Sequence, residues 1–198
     1  YGVAFERMRA SDLVLIDLQG NVVDRLSGER RVNAAGFVIH SAIHEGRPDM
    51  CCIVHTHTAA GMAVAAQRDG LLPLTQHALK FHGHLAYHTY EGIALSLEER
   101  VRLVADLGSH KAMILRNHGL LAGGQSVAHA FHEIYFLERA CQAQIQAMSA
   151  GVALNIPSEE VCRHTAAQFA RDGIDGIIDL AWQAALSLIE EQRDDWCR

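Results

Sequence analysis

The chain has 198 residues, 49% of them hydrophobic and 20% charged, with a formal net charge of -6. This is enough for one domain over residues 1–198 with a substantial core. The negative balance and the lack of a long Lys/Arg cluster argue against nucleic acid and anionic membrane as partners. No apolar run approaches the roughly 20 residues a bilayer span needs. The start, Tyr1-Gly2-Val3-Ala4-Phe5, has neither part of a signal peptide, so the cytoplasm is the expected compartment. The chain begins without methionine, as a trimmed piece would. Its five cysteines are scattered and odd in number, with Cys51 and Cys52 adjacent. They offer neither a disulfide framework nor a Cys-x-x-Cys knuckle and read as buried thiols.

In chain order, Leu13-Val14-Leu15-Ile16 and Val22-Val23 read as strands joined by a turn at Gly20-Asn21, because that pair supplies the positive-φ positions of a tight reversal. From Ala35 to Glu45, Phe37, Val38, Ala42 and Ile43 fall at helical spacing, with Gly46 and Pro48 as the stop. Cys51 to His57 reads as a buried strand passing directly into an alanine-rich helix over Thr58 to Gln67, closed by Gly70. Ser96 and Glu99 form a capping-box pattern for a helix that Gly108 ends. Ala112 to Leu115 and Leu120 to Ala122 are short strands on either side of Arg116-Asn117-His118-Gly119. Ser126 caps the longest helix, which runs to Gly151. Two more helices are expected, Ser158 to Arg171 and Ile177 to Gln192, and their apolar residues serve either the core or a subunit contact. The mixed order of strands and helices points to a three-layer α/β or α+β domain.

Thirteen histidines are the unusual item of composition. At that density about one His-x-His pair arises by chance, and the chain has two, so context must discriminate. In a strand, residues two apart share a face, which puts His55 and His57 side by side at the end of an apolar strand. His118 takes the equivalent place after a second strand, with Gly119 letting the backbone turn. Neutral imidazoles bind zinc, and three protein ligands with one open position is the pattern of a catalytic zinc site. The other reading is three ordinary, partly buried histidines bonded to the backbone. A second group, His82, His84 and His88, is interrupted by Gly83 and reads as solvated or interfacial.

Ala34-Ala35-Gly36-Phe37-Val38-Ile39-His40-Ser41-Ala42-Ile43-His44, Arg47-Pro48-Asp49, Ile53-Val54-His55-Thr56-His57-Thr58 and Leu115-Arg116-Asn117-His118-Gly119-Leu120 follow one another in an order and spacing that strongly resemble the class II aldolase/adducin family. The resemblance spans approximately Tyr1 to Gly151 and is most like the adducin head and its bacterial relatives. It implies an α/β fold, three-layer α/β/α, with a central and mostly antiparallel sheet covered by helices. Members are zinc-dependent sugar-phosphate aldolases, epimerases and some decarboxylases, usually tetramers. The family's zinc ligands match His55, His57 and His118. The resemblance therefore implies Zn2+ or another divalent metal, a small-molecule substrate and a homo-oligomer.

The departures shape the chemistry. The family aldolases carry an acid nineteen positions before the first histidine of the pair, and here that position is Gly36. Their phosphate-holding serines correspond to Ala34 and Ala35. Their opening helix and Gly-Asn phosphate turn would precede Tyr1. An assisting tyrosine from a neighbouring subunit falls, with a one-residue shift, near His77, whose imidazole titrates near neutral pH.

The resemblance thus implies a lyase acting on a small oxygenated, unphosphorylated substrate. Retro-aldol cleavage or decarboxylation would pass through a zinc-stabilised enolate, the latter asking less of a general base. Arg116 and Arg31 are candidate partners for a substrate carboxylate, with a solvated surface position the better reading of Arg31. The competing expectation is a non-catalytic adducin-like scaffold or interaction domain in which a metal only fixes the fold. Retention of all three ligand positions opposes it, since an open coordination position has little structural use.

Overall fold

A computed structural model describes residues 2–23, 32–93, 98–171 and 176–197. A sheet of four strands lies at its centre: β1 (Cys52–Thr56), β2 (Leu85–His88), β3 (Ala112–Leu115) and β4 (Gly119–Gly124), in the spatial order β1-β4-β3-β2. β4 runs antiparallel to both neighbours, while β2 and β3 are parallel. The sheet is therefore mixed and mostly antiparallel, as the resemblance implied.

The helices among the described residues are α1 (Ala34–Gly46), α2 (Ala59–Ala65), α3 (Gln76–Leu79), α4 (Glu99–Leu107), α5 (Val127–Ser149), α6 (Glu159–Phe169), α7 (Ile177–Ser187) and α8 (Arg193–Trp196). Two layers follow from the period-two alternation of the strands. Met113, Leu115 and Leu121 face one way and pack with Val38, Ile39, Ala42 and Ile43 of α1 and Leu103 and Leu107 of α4. Ala112, Ile114, Leu120 and Ala122 face the other way, against Val64 and Ala65 of α2 and Ile134, Leu137 and Cys141 of α5. Because both faces are covered, β3 and β4 are buried along their whole length.

Side-chain caps set the helix starts. Asn33 accepts from the Ala35 N–H, Thr58 from Gly61, Ser126 from His129 and Ser158 from Val161. The Arg47-Pro48-Asp49 motif is a structural clamp. Arg47 makes paired contacts of 2.8 and 2.7 Å to Asp49 and donates to the carbonyls of Gly108 and His110, tying the end of α1 to the turn that feeds β3. Gln144, 1% exposed, donates to Gln67 and Gly70 and accepts from Leu72, so its buried amide is satisfied while it locks α5 to the segment after α2.

Several expectations are corrected. The N-terminal hairpin is reduced to a single bridge, Ile16 to Val22, around a turn in which Asp17 accepts from the Gln19 and Asn21 backbones. Of the expected Gly20-Asn21 pair only Gly20 takes a positive φ, at 86°, and among the described residues the two arms meet at that one bridge. Ser96 lies outside the described residues, and α4 begins after Glu98 with no side-chain cap bond. β2 was not foreseen. It starts only at Leu85, so His82 and His84 precede it in a turn, while His88 ends it buried at 4% exposure, against a solvated or interfacial reading. The last predicted helix stops at Ser187, with a 3-10 turn and α8 beyond it. Ile178 there is buried and Trp182 packs on Phe131, yet Leu180 and Leu188 are largely exposed, so that segment serves the core only in part. Cys141 and Cys162 are buried, but Cys51, ahead of β1, and Cys197, near the chain end, are exposed. Among the described residues no helix is long and apolar enough to cross a membrane.

Candidate metal centre

The antiparallel pairing of β1 with β4 sets His55 opposite Leu121 and Thr56 opposite Leu120, which brings the residue after β1, His57, to the start of β4, where His118 enters from the turn. That turn is tight. The His118 N–H returns to the Leu115 carbonyl, and Asn117 holds the left-handed conformation at φ 56 while donating to the Ala65 carbonyl. Asparagine tolerates this region better than most residues. Gly119, by contrast, is required for close approach: a Cβ there would lie 2.3 Å from the Thr56 carbonyl oxygen and 3.3 Å from the His57 ring. The sharp reversal that sequence reading assigned to Gly119 belongs to Asn117.

The three rings form a propeller. Their centroids are 4.6, 4.8 and 4.6 Å apart and each pair is inclined by 78 or 79°. One ligand-capable atom from each of the three lies within 4.8 Å of the others. The His55 and His57 Nε2 atoms approach to 2.7 Å. Two nitrogens sharing a tetrahedral ion at roughly 2.0–2.1 Å stand about 3.3 Å apart, so a small outward shift would admit one.

His55 Nδ1 is 2.8 Å from the Leu120 carbonyl oxygen. A carbonyl can only accept, so Nδ1 carries the proton and the Nε2 lone pair is turned inward, the arrangement a metal-binding imidazole needs. Burial, aided by the neighbouring His118 and His57, pushes the His55 pKa down to about 4, although the Leu120 bond opposes the shift. Burial and then His57 likewise lower His118. Both rings are thus held in the neutral form that binds a cation. The donor set, tautomer and charge state fit a divalent ion.

Around the triad stand residues that spacing could not nominate. Tyr90, just beyond β2, places its ring 6.4 Å from that of His118. His40 of α1, half-buried with its pKa lowered by burial and then by His44, acts on His55. Only the packing of α1 against the sheet brings it there, which a linear pattern does not encode. Gly36 lies one turn before His40 on the same helix face.

Of the other sequence candidates, Arg116 and His88 share the wall of a small cavity with His118 and Tyr90, and His77 lies outside it. Arg116 follows β3, donates to the Gln67 and Arg68 carbonyls and lies 4.6 Å over the Tyr87 ring. His77 sits on α3, its ring edge-on and 4.8 Å from Phe136 of α5. His88 is held by Asp106 at 2.7 Å with Glu99 3.4 Å from its other nitrogen, and His82 bonds Glu159. Arg31 lies outside the described residues.

Comparison with known proteins gives this arrangement its context. A Caulobacter vibrioides protein that carries a provisional class 2 aldolase name is 44% identical over 192 residues, 97% of this chain and 74% of its own length. Rat alpha-adducin is 47% identical over 150 residues, which is 75% of this chain but 20% of the adducin. The crystal structure of an aldolase II superfamily protein from Pseudomonas syringae superposes with a TM-score of 0.92 at 48% identity, covering 98% of this chain and 78% of that one. An L-fuculose 1-phosphate aldolase from Glaciozyma antarctica PI12 superposes at 0.77 with 29% identity, covering 100% and 75%. The sequence pattern of the class II aldolase and adducin N-terminal domain matches residues 1–145. This chain belongs to the class II aldolase and adducin family.

Proposed function

We propose that His55, His57 and His118 hold one zinc ion and that the chain is a metal-dependent carbon-carbon lyase. Its substrate is a small, oxygenated, unphosphorylated molecule, split by retro-aldol cleavage or decarboxylation. The observation that carries this reading is the convergence of three imidazoles with the His55 tautomer fixed by Leu120. A divalent ion bound there supplies Lewis-acid polarisation of a carbonyl and neighbouring hydroxyl, a sink for the electron pair released when the bond breaks.

The chain's own groups set what else is needed. With Gly36 in place of an acid, proton transfer falls to imidazole or phenol side chains. Tyr90 stands beside His118 in this chain. His77, packed on Phe136 away from the triad's ring contacts, would serve from an adjacent copy in a homo-oligomer, for which a tetramer is the proposed form. Ala34 and Ala35 offer no hydroxyl to a phosphate, which supports an unphosphorylated substrate. Arg116 is the proposed partner of a substrate carboxylate, held in place by its two carbonyl acceptors and the Tyr87 face.

A second reading is favoured by Gly36 together with the adducin likeness: a metal-binding scaffold without turnover. Elemental analysis of the purified protein, followed by a panel of hydroxy-aldehydes and keto or hydroxy acids with and without chelator, separates the two. Stoichiometric zinc with chelator-sensitive turnover is the expected result. Zinc without turnover gives the scaffold, and a metal-free protein indifferent to chelators removes both. On any active substrate His77→Ala should slow the rate, and an unchanged rate would take His77 out of the mechanism.

A further inference from the structure

We propose that the cavity at the end of the sheet opposite the histidine triad is a second binding site, for a small organic anion: a carboxylate, sulfonate or phosphate carried on a flat apolar body. β3 enters at Ala112, which lines this cavity, and leaves at Leu115 toward His118; β4 starts beside the triad at Gly119 and ends at Gly124, followed by Gln125 in the cavity wall. The length of β3, about 10 Å at roughly 3.3 Å per residue, separates the two places. The cavity measures about 710 Å³. Sites for small ligands run from about 300 to 1,000 Å³.

The walls specify the chemistry. Phe81, Phe169, Ala166 and Ile178 give the cavity an apolar side. The two carboxylates bordering it already have cations, Glu133 with Lys80 at 3.0 Å and Asp49 with Arg47 at 2.7 Å. Lys111, whose charge also bears on Asp49, adds a second ammonium to the lining, which includes His84 and His110. The first turn of α5, through His129, presents the positive end of a 23-residue helix to the same space.

The Lys80–Glu133 pair is the telling feature. Its side chains are only 9% and 12% exposed, and the ammonium lies 5.6 to 5.9 Å from the ring centres of Phe81, Phe136 and Phe169. A buried ion pair is a weak stabiliser, because desolvation offsets most of the attraction. In a cavity wall it has a use: an ammonium has three donors and Glu133 takes one, so Lys80 can also meet an anion whose flat body lies against Phe81 and Phe169.

The test uses 1-anilinonaphthalene-8-sulfonate as probe in a fluorescence titration of the full chain. Saturable binding of one probe per chain, displaced by benzoate or by phenyl phosphate, is expected, and the better competitor identifies which oxyanion the site takes. Lys111→Glu, an exposed change that leaves the fold intact, should weaken binding about tenfold or more, in the range of a lost close charge partner. Ala166→Trp, which fills the cavity, should abolish it, and if that variant does not fold the Lys111 variant decides. His57→Ala should leave probe binding unchanged. No saturable binding, displacement by neither competitor, insensitivity to Lys111→Glu, or loss in His57→Ala would each overturn the proposal.

Discussion

Gly119 stands so close to Thr56 that a methyl group on its Cα would lie 2.3 Å from the Thr56 carbonyl oxygen. The same methyl would press on the His57 ring, so one position couples strand pairing to the histidine cluster. Gly119→Ala should therefore cost about 1–3 kcal/mol of unfolding free energy as an overpacking change. It should also weaken zinc binding by displacing His57. Urea unfolding in the presence of chelator isolates the first effect and a zinc titration the second. Wild-type values in both would show that the strand end relaxes freely around the methyl.

The burial of His55 makes the stability of the metal-free protein depend on pH. Its folded pKa, about 4, lies below the ordinary histidine value of 6.5, chiefly through burial. Above about pH 6.5 neither state binds a proton there, and stability is unaffected. As pH falls toward 4 the unfolded chain takes up a proton that the folded ring refuses, so stability is lost progressively through that window, by about 2–3 kcal/mol at most once partial exposure is allowed for. His55→Asn keeps a donor for the Leu120 carbonyl and removes the titration. Compared at about pH 7.5 and pH 5 with metal removed, wild type should lose more unfolding free energy than the variant. Equal losses would mean that the ring is solvated enough to protonate in the fold.

The triad was legible because its geometry is local: His55 and His57 obey the two-residue period of a strand, and His118 ends the three-residue turn between two strands that pair with each other. The layered fold was legible for a related reason, since apolar strands and capped helices alternate along the chain. What escaped was non-local. β2 has a parallel partner, β3, separated from it by α4, and nothing within Leu85 to His88 announces the pairing. His88 is buried because Asp106 and Glu99 of α4 come to it, and the charge of His40 bears on His55 only through the packing of α1 on the sheet. The N-terminal hairpin failed the other way: the turn signal at Asp17 to Asn21 is real, but among the described residues its arms meet at a single bridge.

Thiol chemistry offers a check on the packing of α5. Burial, with Glu138 adding to it, pushes the Cys141 thiol up to about 12, and the side chain is fully enclosed. At about pH 8 its thiolate fraction is then lower than that of an ordinary cysteine by about a thousandfold. Alkylation followed by peptide mass mapping should mark Cys51 and Cys197 in the native protein, both exposed, and reach Cys141 only after denaturant is added. Native labelling of Cys141 at the rate of Cys51 would mean that α5 opens readily from the sheet.

Restoring the missing acid is the sharpest probe of the site. Gly36 lies within α1 with negative φ, and the nearest atoms to a Cβ there, those of Asn33, are at 3.8 and 3.9 Å, ordinary contact distances. Gly36→Glu is therefore sterically open. It should raise helix stability by about 0.5–1 kcal/mol through propensity, with a further gain from a carboxylate near the helix N-terminus. Position 36 is one turn before His40, which itself acts on His55, so the new carboxylate faces the triad side of the helix. The variant should bind zinc more tightly than wild type, by about tenfold or more if the carboxylate becomes a fourth ligand, and a competition titration against a chromophoric chelator reads this directly. A gain in thermal stability with unchanged zinc affinity would place the carboxylate out of reach of the ion. Tighter zinc together with new cleavage of a hydroxy-aldehyde would show that the rest of the pocket is intact.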